Sequence, residues 1–227
     1  MRIFLTLFCA LTLGGGGAYA WLYYGGFEGE RSSVVGFIDA YSTYDVSATR
    51  VAALVHSPST EKNSDRSELL ALLQDILTGT LTNGEREALA RVAFTHLDSI
   101  QKGIADAAVA QDELYLNIQN LDTMSRIFTG MRAREQAHNL VSLARACAET
   151  SARIIANLSE THEHTYAIIT RVLEDGGELT DEHKRSINAI TTEAETRHAE
   201  LEAHYTSFIA QRDSLTMAFD QFVHDLL

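Results

Sequence analysis

The residues best equipped for chemistry in this chain are its histidines: nine in all, seven of them beyond residue 137. Two sit in Glu-x-x-His pairs, Glu135/His138 and Glu195/His198. On a helix that spacing puts a carboxylate and an imidazole on one face, and two converging pairs are the donor set of a di-metal carboxylate site. Thr161-His162-Glu163-His164 offers two more imidazoles, but residues two apart on a helix point to different faces. Other chemistries find less. The two cysteines, Cys9 and Cys147, exclude a disulfide framework, and Cys147 reads as a small apolar packing residue. No glycine-rich phosphate loop follows a strand, and no serine or cysteine has a supporting His/Asp arrangement. Asn157-Leu158-Ser159 is a glycosylation sequon, but it lies inside a helical stripe.

What these groups do depends on the elements that carry them. One proline, Pro58, in 227 residues argues for long helices, because proline breaks helix interiors. Apolar residues recur at 3-4-3-4 spacing beyond residue 30, the seam of packed helices. A first stripe runs Val34, Phe37, Tyr41, Tyr44, Ala48, Val51, Val55 and is expected to break at Pro58. A short helix over about 64–79 follows, opened by Asp65 with Glu68. Thr82-Asn83-Gly84-Glu85 is a stronger capping box. The stripe after it reads Leu89, Ala93, His96, Ile100, Gly103, Ala107, Ala110, Leu114, Leu121, Met124, Phe128. A turn is placed at Thr129-Gly130, with Asn120–Thr123 as the alternative. The next stripe runs Val141, Ala144, Ala148, Ser151, Ile155, Leu158, His162, Thr165, Ile169, Val172, and Gly176-Gly177 closes it. Thr180 caps the last helix, whose stripe runs from Ile187 to Phe222.

Turns near 81, 130 and 178 divide residues 31–227 into four stretches of roughly 45–50 residues, the plan of an antiparallel bundle. The fold expected is therefore all-α: an N-terminal transmembrane or signal helix, then an elongated antiparallel four-helix bundle, its first helix broken near Pro58. In domain terms, residues 1–27 are anchor or signal and residues 28–227 an exported bundle. This topology separates the two Glu-x-x-His pairs by about 20 residues, roughly 30 Å along a helix, so no metal site and no cofactor is expected. It brings others together. His96 and His162 stand about 34 and 32 residues from the turn near 130, nearly one level. Arg197 and His198, with Glu195 close by, fall near the same level counted from the turn near 178. A polar layer of His96, His162, Glu195, Arg197 and His198 is expected. Such a layer can penalise slipped packings, or bind a ligand, or loosen as acid charges its imidazoles.

Residues 3–26 contain no charge and are long enough to span a bilayer. Arg2 precedes them and Glu28 and Glu30 follow, so the positive-inside rule puts Met1 in the cytoplasm and the remainder outside. Trp21, Tyr23 and Tyr24 suit the outer headgroup level. The alternative is a signal peptide cleaved after Ala20, at Ala18-Tyr19-Ala20, which leaves a secreted or periplasmic protein. The net charge of −13 repels phosphate polymers, so nucleic acid is not an expected partner. The reading reached is a non-enzymatic, membrane-anchored, extracytoplasmic accessory or scaffold protein that binds other proteins or itself, with membrane contact through residues 3–26. The alternative is an extracytoplasmic ligand- or pH-sensing bundle using the His/Arg layer.

Overall fold

The computed structural model describes residues 31–60, 69, 71–76, 81–128 and 130–226. The uncharged stretch 3–26 and the Asp65/Glu68 pair lie outside them, as do the side chains of Glu195, Arg197 and His198. All regular structure among the described residues is helical. The long helices are α1 (Arg31–Thr60), α2 (Asn83–Ser125), α3 (Met131–Glu174) and α4 (Asp181–Leu226), and residues 71–76 are helical as well. No described helix is long and apolar enough to cross a membrane.

Local chemistry sets the helix ends. At the start of α2 the Thr82 N–H and hydroxyl both donate to Glu85 Oε2 at 2.8 Å, and the Glu85 N–H donates to Thr82 Oγ1 at 3.3 Å. That reciprocal box satisfies donors the helix itself leaves orphaned. The α4 start is capped by Thr180, whose Oγ1 accepts from the His183 N–H at 3.2 Å. At the end of α3 the Gly177 N–H reaches the Val172 carbonyl at 2.9 Å and the Gly176 N–H the Leu173 carbonyl at 3.1 Å. This is the Schellman pattern, and Gly176 takes the positive φ it needs, 61°, with Gly177 after it at 79°. α2 runs on past 120–123 to Ser125 and α3 begins at Met131, which leaves the turn expected at Thr129-Gly130 between them, Thr129 itself lying outside the described residues. α1 reaches two residues past Pro58 and ends at Thr60, close to where the missing proline N–H was expected to end it.

The chain divides into two compact units, each drawn from separated stretches. The first comprises Met1–Arg50, Ala110–Glu149 and Ile209–Leu227. Its centre is aromatic. Phe37, Phe128 and Phe222 meet edge to face with centroids 5.2–5.7 Å apart, and Tyr41 stacks flat on Phe219 at 3.6 Å. Burying each such ring stabilises by roughly 2–3 kcal/mol. Polar contacts also tie the helices together. Asn117 Nδ2 donates to Ser47 Oγ at 2.6 Å and Arg50 pairs with Glu113 at 2.5 Å, linking α1 to α2. Gln111 Nε2 donates to the Ala148 carbonyl at 2.9 Å, linking α2 to α3. Arg132 pairs with Asp225, linking α3 to α4, and Arg212 reaches Thr49 on α1.

The second unit comprises Val51–Val109 and Thr150–Phe208. Leu69, Leu73 and Ile76 bury themselves against Ala90, Ala93 and Leu97 of α2, Ile169 and Val172 of α3, and Ile187 of α4. Two alanines at the contact let the backbones approach closely. Phe94 and Tyr166 lie over this core with centroids 4.8 Å apart.

Candidate functional site

His162 is the one expected layer residue that the structure places in a described core. It sits in the second unit, only 6% exposed. Its Nε2 lies 2.9 Å from the Leu97 carbonyl oxygen. A carbonyl only accepts, so Nε2 carries the proton and Nδ1 is left as a buried acceptor without a partner among the described residues. The ring faces Tyr166 at 5.8 Å.

His96 is placed differently from expectation. The buried line of α2 here runs Ala90, Ala93, Leu97, Ile104, Ala107, while His96, Ile100 and Gly103 are only half-buried. Leu97 and Ile104, seven apart, are greasier than His96 and Gly103, so the helix turns about one residue to bury them. The layer's partners on α4, Glu195, Arg197 and His198, lie outside the described side chains. Glu135 and His138 are exposed, as are Glu163 and His164. No group of three or more metal-ligating side chains gathers among the described residues.

Several polar features escaped the sequence pattern. Gln111 is buried with its amide on the Ala148 carbonyl. Asp122 is buried between Arg126 at 2.6 Å and Arg145 at 3.1 Å, the pairing that a buried carboxylate requires. The i, i+4 spacing of Asp122 and Arg126 was the available signal for half of it. Tyr44 and Cys147 meet inside the first unit. Burial pushes the Tyr44 phenol above its ordinary value and the Cys147 thiol up to about 11.

Besides Met217 on α4, 65% exposed, two pairs of exposed apolar side chains stand on the first unit among the described residues. Val46 and Leu116 are 68% and 63% exposed, and each stands one residue before the hydrogen-bonded pair Ser47/Asn117. In an antiparallel pair that offset turns both side chains to the same side of the α1–α2 seam, beside Arg50 and Glu113. The bend between α2 and α3 exposes Ile127 and Met131. The C-terminal Phe219, Phe222 and Val223, by contrast, are buried in the core. No family model, curated protein or solved structure matches the chain.

Proposed function

We propose that the protein is a membrane-anchored, extracytoplasmic helical-bundle accessory or scaffold protein that binds other proteins. The observation that supports this most is the paired exposure of Val46 and Leu116 on one face of α1 and α2, a site where apolar area stays wet until something covers it. The ion pair Arg50–Glu113 beside it supplies the polar rim such a contact uses. The uncharged residues 3–26 support the anchor. Purification of the full chain in mild detergent, followed by mass spectrometry of stoichiometric companions, tests the reading. Val46→Glu with Leu116→Glu releases the partner while leaving the helical spectrum intact. Absence of any companion, in a monodisperse preparation of the chain alone, refutes the scaffold reading.

The alternative, an extracytoplasmic ligand- or pH-sensing protein, draws on the unpartnered Nδ1 of His162. Thermal unfolding of the wild type and His162→Leu across about pH 8 to pH 5 tests it. Equal slopes in the two proteins remove it.

A further inference from the structure

Val46 and Leu116 stand on the side of the α1–α2 seam that faces away from the core, and the charges on that side do not balance. Asp39 lies seven residues before Val46, and Asp112 four residues before Leu116. Those intervals, two helical turns and one, return each carboxylate to the face of its apolar neighbour. Both aspartates are exposed, and neither is in an ion pair among the described residues. Among the described residues of the first unit the cation on this side is Arg50, and Glu113 already neutralises it. Arg212 and Asp45 pair with each other where α1 meets α4. The face therefore carries two unanswered negative charges beside two wet apolar side chains.

Antiparallel packing fixes where those charges lie. Ser47 and Asn117 are bonded at one level. Asp39 falls eight residues to one side of that level along α1, and Asp112 five residues to the other side along α2. At about 1.5 Å per residue the two carboxylates stand roughly 20 Å apart along the seam, with Val46 and Leu116 between them. The exposed neighbours of Val46 one turn earlier are short, Ser42 and Thr43, so another backbone can come close. A third helix laid along two antiparallel ones is the shape such a seam accepts.

Two occupants compete for it, and charge decides between them. Two copies of this chain would bring four unanswered carboxylates together, on molecules that each carry −13, and like charges across an interface oppose its closure. A cationic helix is drawn to the whole molecule and then meets a free carboxylate on either side of the apolar pair.

We infer that this face takes a basic amphipathic helix, its apolar stripe on Val46 and Leu116 and its lysines or arginines on Asp39 and Asp112. The inference deepens the scaffold reading of the same face and rests on it. The separation of the two carboxylates sets that of the cations, about two heptads.

The test puts a photo-crosslinking benzoylphenylalanine in place of Thr43, between Asp39 and Val46, in the full chain in its producing cell, and sequences the attached segment by mass spectrometry. The segment expected has apolar residues at 3-4 spacing and basic residues about two heptads apart. Asp39→Asn with Asp112→Asn is expected to cut the adduct yield about fivefold, the worth of two exposed ion pairs, while the thermal unfolding midpoint of the chain stays in place. A yield unchanged by that double substitution overturns the inference. An attached segment that is acidic or neutral does the same, and either result leaves a protein partner on the face. Attachment to another copy of this chain assigns the face to self-association and overturns the cationic occupant. Absence of any protein adduct, with the chain folded, removes this face from the scaffold reading and the inference with it.

Discussion

The Tyr44 hydroxyl on α1 and the Cys147 thiol on α3 face each other in the first unit, both shut off from water at 1% and 0% exposure. The hydroxyl donates to the Cys147 sulfur, a weak acceptor, and finds no oxygen or nitrogen partner among the described residues. Tyr44→Phe keeps the ring and removes one weak buried hydrogen bond. It is expected to change stability by less than about 1 kcal/mol in denaturant unfolding. A larger loss would show that the hydroxyl has a stronger partner than sulfur.

The same burial sets a limit at alkaline pH. Cys147 is pushed from its ordinary value near 9 to about 11 by desolvation. A folded-state pKa raised above the unfolded one gives stability that is complete below the unfolded value and lost as pH rises through the folded one. Unfolding is therefore favoured progressively between about pH 9 and pH 11, and Cys147→Ala flattens that slope. At neutral pH the thiol stays protonated and shielded, so alkylation of Cys147 is expected to follow the rate of unfolding rather than reagent concentration.

Gly176 and Gly177 separate backbone strain from collision. Both have positive φ, but a Cβ at Gly176 meets open space, while one at Gly177 would lie 2.0 Å from the Asn83 carbonyl oxygen. Gly176→Ala is expected to cost about 1 kcal/mol, the left-handed penalty alone. Gly177→Ala adds displacement of the α2 start and costs about 3 kcal/mol. Equal losses in thermal unfolding would mean that Asn83 and Gly177 do not touch.

Glu85 reports on the α2 cap. Its carboxyl is held below its ordinary value by the Thr82 N–H and then by the Thr82 hydroxyl. A lowered acid stabilises above its unfolded pKa and releases as pH falls through the folded one. Amide exchange over residues 82–86 is expected to quicken as pH drops below 4.5, after correction for intrinsic rates. Glu85→Gln removes the acid dependence.

The features legible in the sequence are those governed by nearest neighbours along the chain. The Thr82/Glu85 box, the Thr180 cap and the Gly176-Gly177 closure each need only a few adjacent residues, and each stands where the pattern put it. The α1 stripe from Val34 to Val55 is buried throughout, because seven apolar residues leave the helix one choice of face. Where polarity is mixed, the face is set by packing partners that the pattern does not contain. Gln111 is buried because the Ala148 carbonyl on another helix accepts from it. Asp122 is buried because Arg145, also from α3, completes its pairing.

The α2 seam is where these two kinds of information collide, and one pair of substitutions tests the outcome. Spacing favoured His96 as the inward residue, but Leu97 is the buried one, and its carbonyl holds His162. Leu97→Ala keeps that carbonyl and opens a cavity, so it is expected to cost about 3 kcal/mol. His96→Leu changes a half-buried side chain and costs less than about 1 kcal/mol. The two losses, measured by urea unfolding, reverse if His96 occupies the seam. The His162 imidazole signal is a second monitor. It holds in both variants, since the Nε2 bond runs to backbone, and its movement in Leu97→Ala alone would mean that α2 has rotated to fill the void.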